Sequence, residues 1–179
     1  GIVSAQGLMV LADPSGYVLF VIPSVLVSLA FAPILLSVSP TPAFGTTKPL
    51  SLRQIMKISP LGCVGMLLTG DVFAAQFGMA SVYGAEAGLN VGQISAFVAS
   101  FYVAAVVAQY PLGWLSDRMD RRKLIAAVSL GTGVGAVIGM MLGDNFWFLM
   151  LAAFIVGGTS NPLYSLLIAY TNDFLAHED

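Results

Sequence analysis

The sequence predicts an all-α integral membrane protein, and three observations support this fold class. Of its 179 residues, 58% are hydrophobic and only 9% are charged, whereas soluble domains are about 25% charged. Glycine and proline are frequent, at 19 and nine residues, as they are in membrane-spanning helices. Five stretches are long and apolar enough, or nearly so, to cross about 30 Å of hydrocarbon. So few charges cannot cover a water-facing surface.

The elements follow from where the apolar stretches begin and end. Residues 1–16 are expected to be the end of an earlier span and its outer turn, because Asp13-Pro-Ser-Gly16 is typical of a turn. A disordered N-terminus is the alternative for this segment. Residues 39–57 form a linker, part of which suits a short helix on the membrane surface. The five predicted spans are Tyr17–Val38, Ile58–Val82, Gln93–Trp114, Leu124–Leu142 and Phe146–Ala169.

The basic residues fix the orientation of these spans. All seven fall in two loops separated by two spans, so both loops lie on one side of the membrane: Lys48, Arg53 and Lys57, then Arg118, Arg121, Arg122 and Lys123. By the positive-inside rule that side is the cytoplasm, which predicts that residues 39–57, 115–123 and 171–179 are cytoplasmic. The opposite side carries Asp13, Glu86 and Asp144 and no basic residue.

Composition also excludes several functions. Seven basic residues, balanced by nine acidic ones, are too few for nucleic-acid binding, which neutralises phosphates with clustered Lys and Arg. The single cysteine, Cys63, and the single histidine, His177, provide no metal site, and we predict no cofactor. A membrane-embedded enzyme would need a nucleophile–base pair or a metal cluster within a span. The sequence contains neither, so we predict that the protein is not an enzyme.

The shorter basic loop has an ordered pattern, Gly113-Trp-Leu-Ser-Asp117-Arg118-Met-Asp120-Arg121-Arg122-Lys123. A glycine lets two helices approach closely, and an aspartate accepts hydrogen bonds from the N–H groups at a helix N-terminus. The pattern resembles the signature loop of the major facilitator superfamily, G-x-L-x-D-R-x-G-R-[RK], with Asp120 in place of the second glycine. A solvated anchor loop is the alternative.

This resemblance implies a numbering and a function. The five spans would be helices six to ten of a twelve-helix transporter, residues 1–16 the end of helix five, and residues 58–179 the first part of the C-terminal half. The chain would then be a piece of a longer protein. The Asn161-Pro-Leu-Tyr-Ser165 segment is similar to a YcaD-like bacterial subgroup, which implies the bacterial cytoplasmic membrane. In the family, the loop latches the cytoplasmic side, where Asp173 is expected either to pair with Arg118 and Arg121 or to be solvated.

Asp71 is the ionisable residue that stands out within a span. It lies about 13 residues, or roughly 20 Å, into Ile58–Val82, and such residues are functional candidates by default. Ala74, Ala75 and Gly78 share its face, and Gln76 lies on a neighbouring face. As part of helix seven, Asp71 would be a proton-coupling carboxylate or a counter-charge for a cationic substrate. The alternative is a structural aspartate that binds a neighbouring helix.

The last span carries a second set of polar candidates on one helical face: Asn161, Tyr164, Ser165 and Asn172. As helix ten, this face would line the transport cavity, although hydrogen bonding between helices is the alternative. Gly157, Gly158 and Pro162 would allow a kink beside it. Tyr102 and Gln109, on helix eight, are further candidates for the cavity or a gate.

Together these observations predict a secondary active transporter that moves a small molecule by alternating access. Proton coupling would run through Asp71 or through residues outside this chain. The expected partners are the substrate, protons, the lipid bilayer and the missing helices of the same protein. The alternative is a receptor or scaffold that keeps the fold without transporting.

Overall fold

The structure is a computed structural model that describes residue 7, residues 16–36 and residues 51–175. Within these ranges the chain is helical apart from short turns and caps, with no strand, which confirms the all-α class. Most of residues 1–16, most of the 39–57 linker and the tail from residue 176 lie outside the described residues. The helices are α1 (Val18–Leu36), α2 (Leu52–Ile58), α3 (Pro60–Ala74), α4 (Ala80–Glu86), α5 (Val91–Ser116), α6 (Arg121–Leu142) and α7 (Phe146–Leu175).

Four helical segments in the described part are long and apolar enough to cross a membrane, as expected for a multi-pass protein. The first, Pro60–Glu86, combines α3, a π-helical segment and α4, and is called the α3–α4 span below. The other three are α5, α6 and α7. The apolar part of α1, Val18–Pro33, is shorter, and nearly all of its described side chains are exposed. The packed core is therefore made by the other helices.

Polar caps set the helix boundaries that apolar patterning alone cannot fix. At the start of α5, Asn90 and Gln93 form a capping box in which each side chain accepts the other's backbone N–H. Ser51 and Gln54 do the same for α2. The Asp120 carboxylate accepts the N–H of Arg122 at the start of α6. Such caps satisfy N–H groups that have no partner within the helix.

Helix α7 is the centre of the bundle, and it packs against α3, α5 and α6. Glycines bring these helices together. On α6, Gly131 lies against Thr159, Gly135 against Val156, and Gly139 against Ala152. This four-residue repeat is the small-xxx-small pattern that allows close packing in membranes. A hydrogen bond of 2.8 Å from the Thr132 hydroxyl to the Thr159 hydroxyl adds a polar tie between the same two helices.

The α3–α4 span changes its helical pitch near its midpoint, where Ala75–Met79 form a π-helical turn. The Ala75 N–H is shared between the carbonyl oxygens of Asp71 and Val72. Before this turn in the chain, α3 packs on α7. After the turn, α4 packs on α5. Such single π turns inside α-helices are frequent at functional sites. The span therefore changes its packing partner, from α7 to α5, close to Asp71.

Candidate functional site

The motif loop is fixed to α7 through two adjacent arginines. Arg121, at the first turn of α6, forms an ion pair with Asp173 in the last turn of α7 and donates to the Ala169 carbonyl oxygen at 3.4 Å. The helix dipole favours neither charge, because Arg121 is at a helix N-terminus and Asp173 is near a helix C-terminus. Each charge instead offsets the other across the interface.

Arg122 reinforces the same attachment. Its Nε donates to the Tyr170 hydroxyl at 2.7 Å, and its guanidinium lies 5.6 Å and 6.0 Å from the ring centroids of Tyr170 and Phe174. Tyr170 is buried in the core cluster that also contains Leu124 and Leu167. The start of α6 is therefore held to the end of α7 by an ion pair, hydrogen bonds and cation–π contacts.

The remaining motif residues are arranged differently. Arg118, which the sequence grouped with Arg121 as a partner of Asp173, lies over the Trp114 ring at 3.9 Å and donates to the Trp114 carbonyl oxygen. Asp117 is the exposed C-terminal cap of α5. A Cβ at Gly113 would meet no atom within 4 Å, so the described residues include no helix that packs closely there. These three residues face a side of the bundle that the described helices leave uncovered.

Asp71 is exposed in the middle of the α3–α4 span. Ala74, Ala75 and Gly78 are exposed as well, and a Cβ at Gly78 would meet no atom within 4 Å. Within the described part of the chain the Asp71 carboxylate forms no ion pair or hydrogen bond. These small neighbours therefore leave the Asp71 carboxylate accessible.

Gln76 belongs to the π turn and points inward. It is buried, and its Nε2 donates to the Ser160 hydroxyl of α7 at 2.7 Å. Sequence reasoning proposed Gln76 but not its partner, since nothing in the pattern of α7 distinguishes Ser160. The structure separates Gln76 from Asp71: one binds α7, and the other is exposed.

This hydrogen bond gives a stability prediction. Ser160→Ala leaves the buried Gln76 amide without its partner, and we expect the free energy of unfolding to fall by about 0.6 kcal/mol, with about 1.7 kcal/mol as the upper end for such interhelical bonds. Thermal unfolding of the full-length protein in detergent measures the change, and a double-mutant cycle with Gln76→Leu isolates the pair. Ser165→Ala, at an exposed site on the same helix, is the matched control. A coupling energy of zero would contradict the assignment.

The polar face of α7 is only partly covered. The Asn161 side chain is half-buried and donates to the Gly157 carbonyl oxygen of its own helix at 3.1 Å, whereas Tyr164, Ser165 and Asn172 are exposed. Gln109, on α5, is also exposed, and no described contact brings it to this face. The sequence candidates thus do not form one cluster in this part of the bundle.

Aromatic rings connect two of those candidates. The Tyr164 ring centroid lies 6.0 Å from that of Phe73, Phe73 lies 5.7 Å from Phe77, and Phe77 lies 5.8 Å from Tyr102. These four residues are called the aromatic row. Sequence analysis chose Tyr102 and Tyr164 separately and missed Phe73 and Phe77. Their i,i+4 spacing beside Asp71 is the signal that would have found them.

An apolar cavity of about 430 Å³ lies between the α3–α4 span, α5, α6 and α7. Its lining is apolar except for three residues whose side chains carry polar groups: Gln76, Tyr83 and Thr132. No group of three His, Cys, Asp or Glu side chains that could hold a metal ion occurs among the described residues.

Several apolar membrane-spanning helices and an exposed intramembrane carboxylate define a multi-pass helical membrane protein with a polar face inside the membrane. The chain belongs to the Major Facilitator Superfamily, whose family model matches residues 61–179. That match includes the whole motif loop, the aromatic row and both arginine contacts.

Similar proteins carry the same family name. The chain is 27% identical over 125 residues to "Uncharacterized MFS-type transporter YcaD" of Escherichia fergusonii, covering 70% of this chain and 31% of that protein. It is 26% identical over 130 residues to "Uncharacterized MFS-type transporter YfkF" of Bacillus subtilis, covering 70% and 32%. The chain therefore spans about a third of the length of these relatives. No solved structure matches the chain.

Proposed function

We propose that the protein to which this chain belongs is a secondary active transporter that moves a small molecule by alternating access, coupled to protons through Asp71. The observation that carries the proposal is the exposed Asp71 carboxylate in the middle of a membrane span. A carboxylate at this depth is costly in lipid, so it is expected to face a water-filled cavity or another helix. The relatives' printed names, both MFS-type transporters, support the same function.

The contacts of Arg121 and Arg122 suit the latch that alternating access requires. The side chains of Arg121 and Asp173 are 28% and 53% exposed, and ion pairs this accessible contribute only about 0–1 kcal/mol to stability. A contact of that strength can open and close during a transport cycle without unfolding the bundle. We place it on the cytoplasmic side, in line with the positive-inside rule, and the bacterial cytoplasmic membrane is the proposed location.

The test is a proton-flux assay on the full-length protein in proteoliposomes containing a trapped pH dye. A panel of sugars, amino acids and organic cations is added, and wild type is compared with Asp71→Asn. We expect one compound to trigger proton movement in wild type and the rate to fall at least about tenfold, roughly 1.4 kcal/mol in the barrier, in Asp71→Asn. Asp144→Asn, which changes an exposed carboxylate in the turn before α7, is the matched control.

The possible results separate the alternatives. Proton flux that survives Asp71→Asn would assign coupling to residues outside this chain and leave Asp71 a structural role. Substrate flux without proton movement would retain transport and reject proton coupling. No flux with any compound, together with correct folding, would favour a receptor or scaffold.

A further inference from the structure

The aromatic row joins side chains from three membrane-spanning segments. Its four rings come from the α3–α4 span, α5 and α7, and successive centroids are 5.7–6.0 Å apart. Phe77 is 56% exposed and Tyr164 is 44% exposed. By contrast, the Phe97–Phe101 pair, with centroids 5.3 Å apart, is buried within the core. The row is therefore accessible at Phe77 and Tyr164, whereas Phe73 and Tyr102 are half-buried.

The surroundings of the row indicate that it faces water rather than lipid. On α7, the polar side chains of Asn161 and Ser165 flank Tyr164, and Ser165 is exposed. Polar side chains within membrane spans face the bundle interior or a water-filled cavity. On the α3–α4 span, helical geometry places Asp71 about 160° round the axis from Phe73, with Gly70 and Ala74 between them. Both small residues are exposed, which leaves room beside the rings.

The charged residues within the described spans limit what the aromatic row can bind. Away from the helix ends, the described spans contain one carboxylate, Asp71, and no basic side chain. An anionic ligand would therefore have no counter-charge in this part of the protein, whereas an uncharged or cationic one meets no electrostatic penalty. Ring faces attract flat π-systems by offset or edge-to-face stacking, and they attract cations through the ring quadrupole.

We propose that the aromatic row binds the planar aromatic ring of a small, non-anionic substrate. This inference rests on the transport function proposed above and specifies the class of substrate. The ring stacks on the aromatic row, whose exposed members are Phe77 and Tyr164, while Gly70 and Ala74 leave space for the rest of the molecule. A saturated ring of the same size lacks the π-system, so the row distinguishes the two.

The experiment measures binding to the full-length protein in lipid nanodiscs by calorimetry. The probes are pairs that differ only in ring saturation: 2-phenylethylamine with 2-cyclohexylethylamine, and benzamide with cyclohexanecarboxamide. A stacking contact predicts that the aromatic member of at least one pair binds roughly threefold to tenfold tighter in wild type. Phe77→Leu and Tyr164→Leu are expected to reduce that preference to less than about twofold. Phe154→Leu removes an aromatic side chain of α7 that is 43% exposed and outside the row, and it should leave the preference unchanged.

Phe77→Trp is the control for misfolding caused by substitution at this position. It keeps an aromatic ring there, so the variant is expected to keep the preference for the aromatic probe. Equal binding within every pair in wild type, no binding of any probe, or a preference that persists in both leucine variants would overturn the proposal. The proton-flux assay distinguishes these failures from failure of the proposed function. Flux with ring-free compounds and no ring preference would reject the substrate class alone. Ring-selective binding without any flux would reject transport and keep the site.

Discussion

Gly157→Ala is expected to prevent α5 and α7 from packing and to leave little correctly folded protein. A Cβ at Gly157 would overlap the backbone of Phe101, including its carbonyl oxygen and Cα. Backbone atoms of a packed helix cannot move aside as the end of a flexible side chain can, so the two helices must separate. Overpacking of a well-packed core costs about 1–3 kcal/mol, occasionally more, and we expect about 3 kcal/mol because the overlap is with backbone atoms.

Size-exclusion chromatography and thermal unfolding of the full-length protein in detergent measure this effect. Gly133→Ala is the matched control, because it makes the same change within a span at a site where a Cβ would meet no atom within 4 Å. At that site, alanine's higher helix propensity should keep stability unchanged or raise it slightly. Equal stability of the Gly157→Ala and Gly133→Ala proteins would show that α5 and α7 do not approach closely at Gly157.

The sequence predicted the architecture well because membrane crossing requires long apolar segments, and these are visible without knowledge of packing. The repeat of Gly131, Gly135 and Gly139 is likewise visible in the sequence, and in the structure these glycines lie against α7. Helix ends were predicted less accurately. The start of α5 depends on the capping box of Asn90 and Gln93, a polar signal outside the apolar pattern.

The site was harder to predict, because its contacts depend on how helices rotate and cross. The π turn at Ala75–Met79 has no periodic signature, yet it accompanies the inward orientation of Gln76 toward Ser160. The row of Phe73, Phe77, Tyr102 and Tyr164 likewise exists only once three helices are assembled. Sequence reasoning recognised single residues with suitable chemistry, but it could not show which of them would meet.

For the motif loop too, the sequence indicated the type of contact but not which arginine makes it. Its arginines were expected to pair with a carboxylate at a helix end, and Arg121 does pair with Asp173. Arg118, three residues earlier, contacts Trp114 instead. Because Arg118 belongs to the turn before α6 and Arg121 to its first helical turn, their side chains leave the backbone in different directions. Only Arg121 and Arg122 are therefore placed to control the contact with α7.

Arg121→Glu is expected to lower the transport rate of the full-length protein at least about tenfold, roughly 1.4 kcal/mol in the barrier. The substitution places two carboxylates opposite each other where the ion pair with Asp173 was, so the latch no longer closes. Stability should change by less than about 1 kcal/mol, because both side chains are partly exposed and screened by water. A loss of flux without a matching loss of stability would distinguish a latch from a structural ion pair.

The double variant Arg121→Glu with Asp173→Arg restores opposite charges in reversed order, and it favours both helix dipoles because each charge then lies at the preferred helix end. We expect its transport rate to recover to within about threefold of wild type. Lys123→Glu makes the same charge change at an exposed site in the same helical turn, and it should have little effect. If Lys123→Glu lowers flux as much as Arg121→Glu does, the loop acts through its overall positive charge and not through the specific contact between α6 and α7.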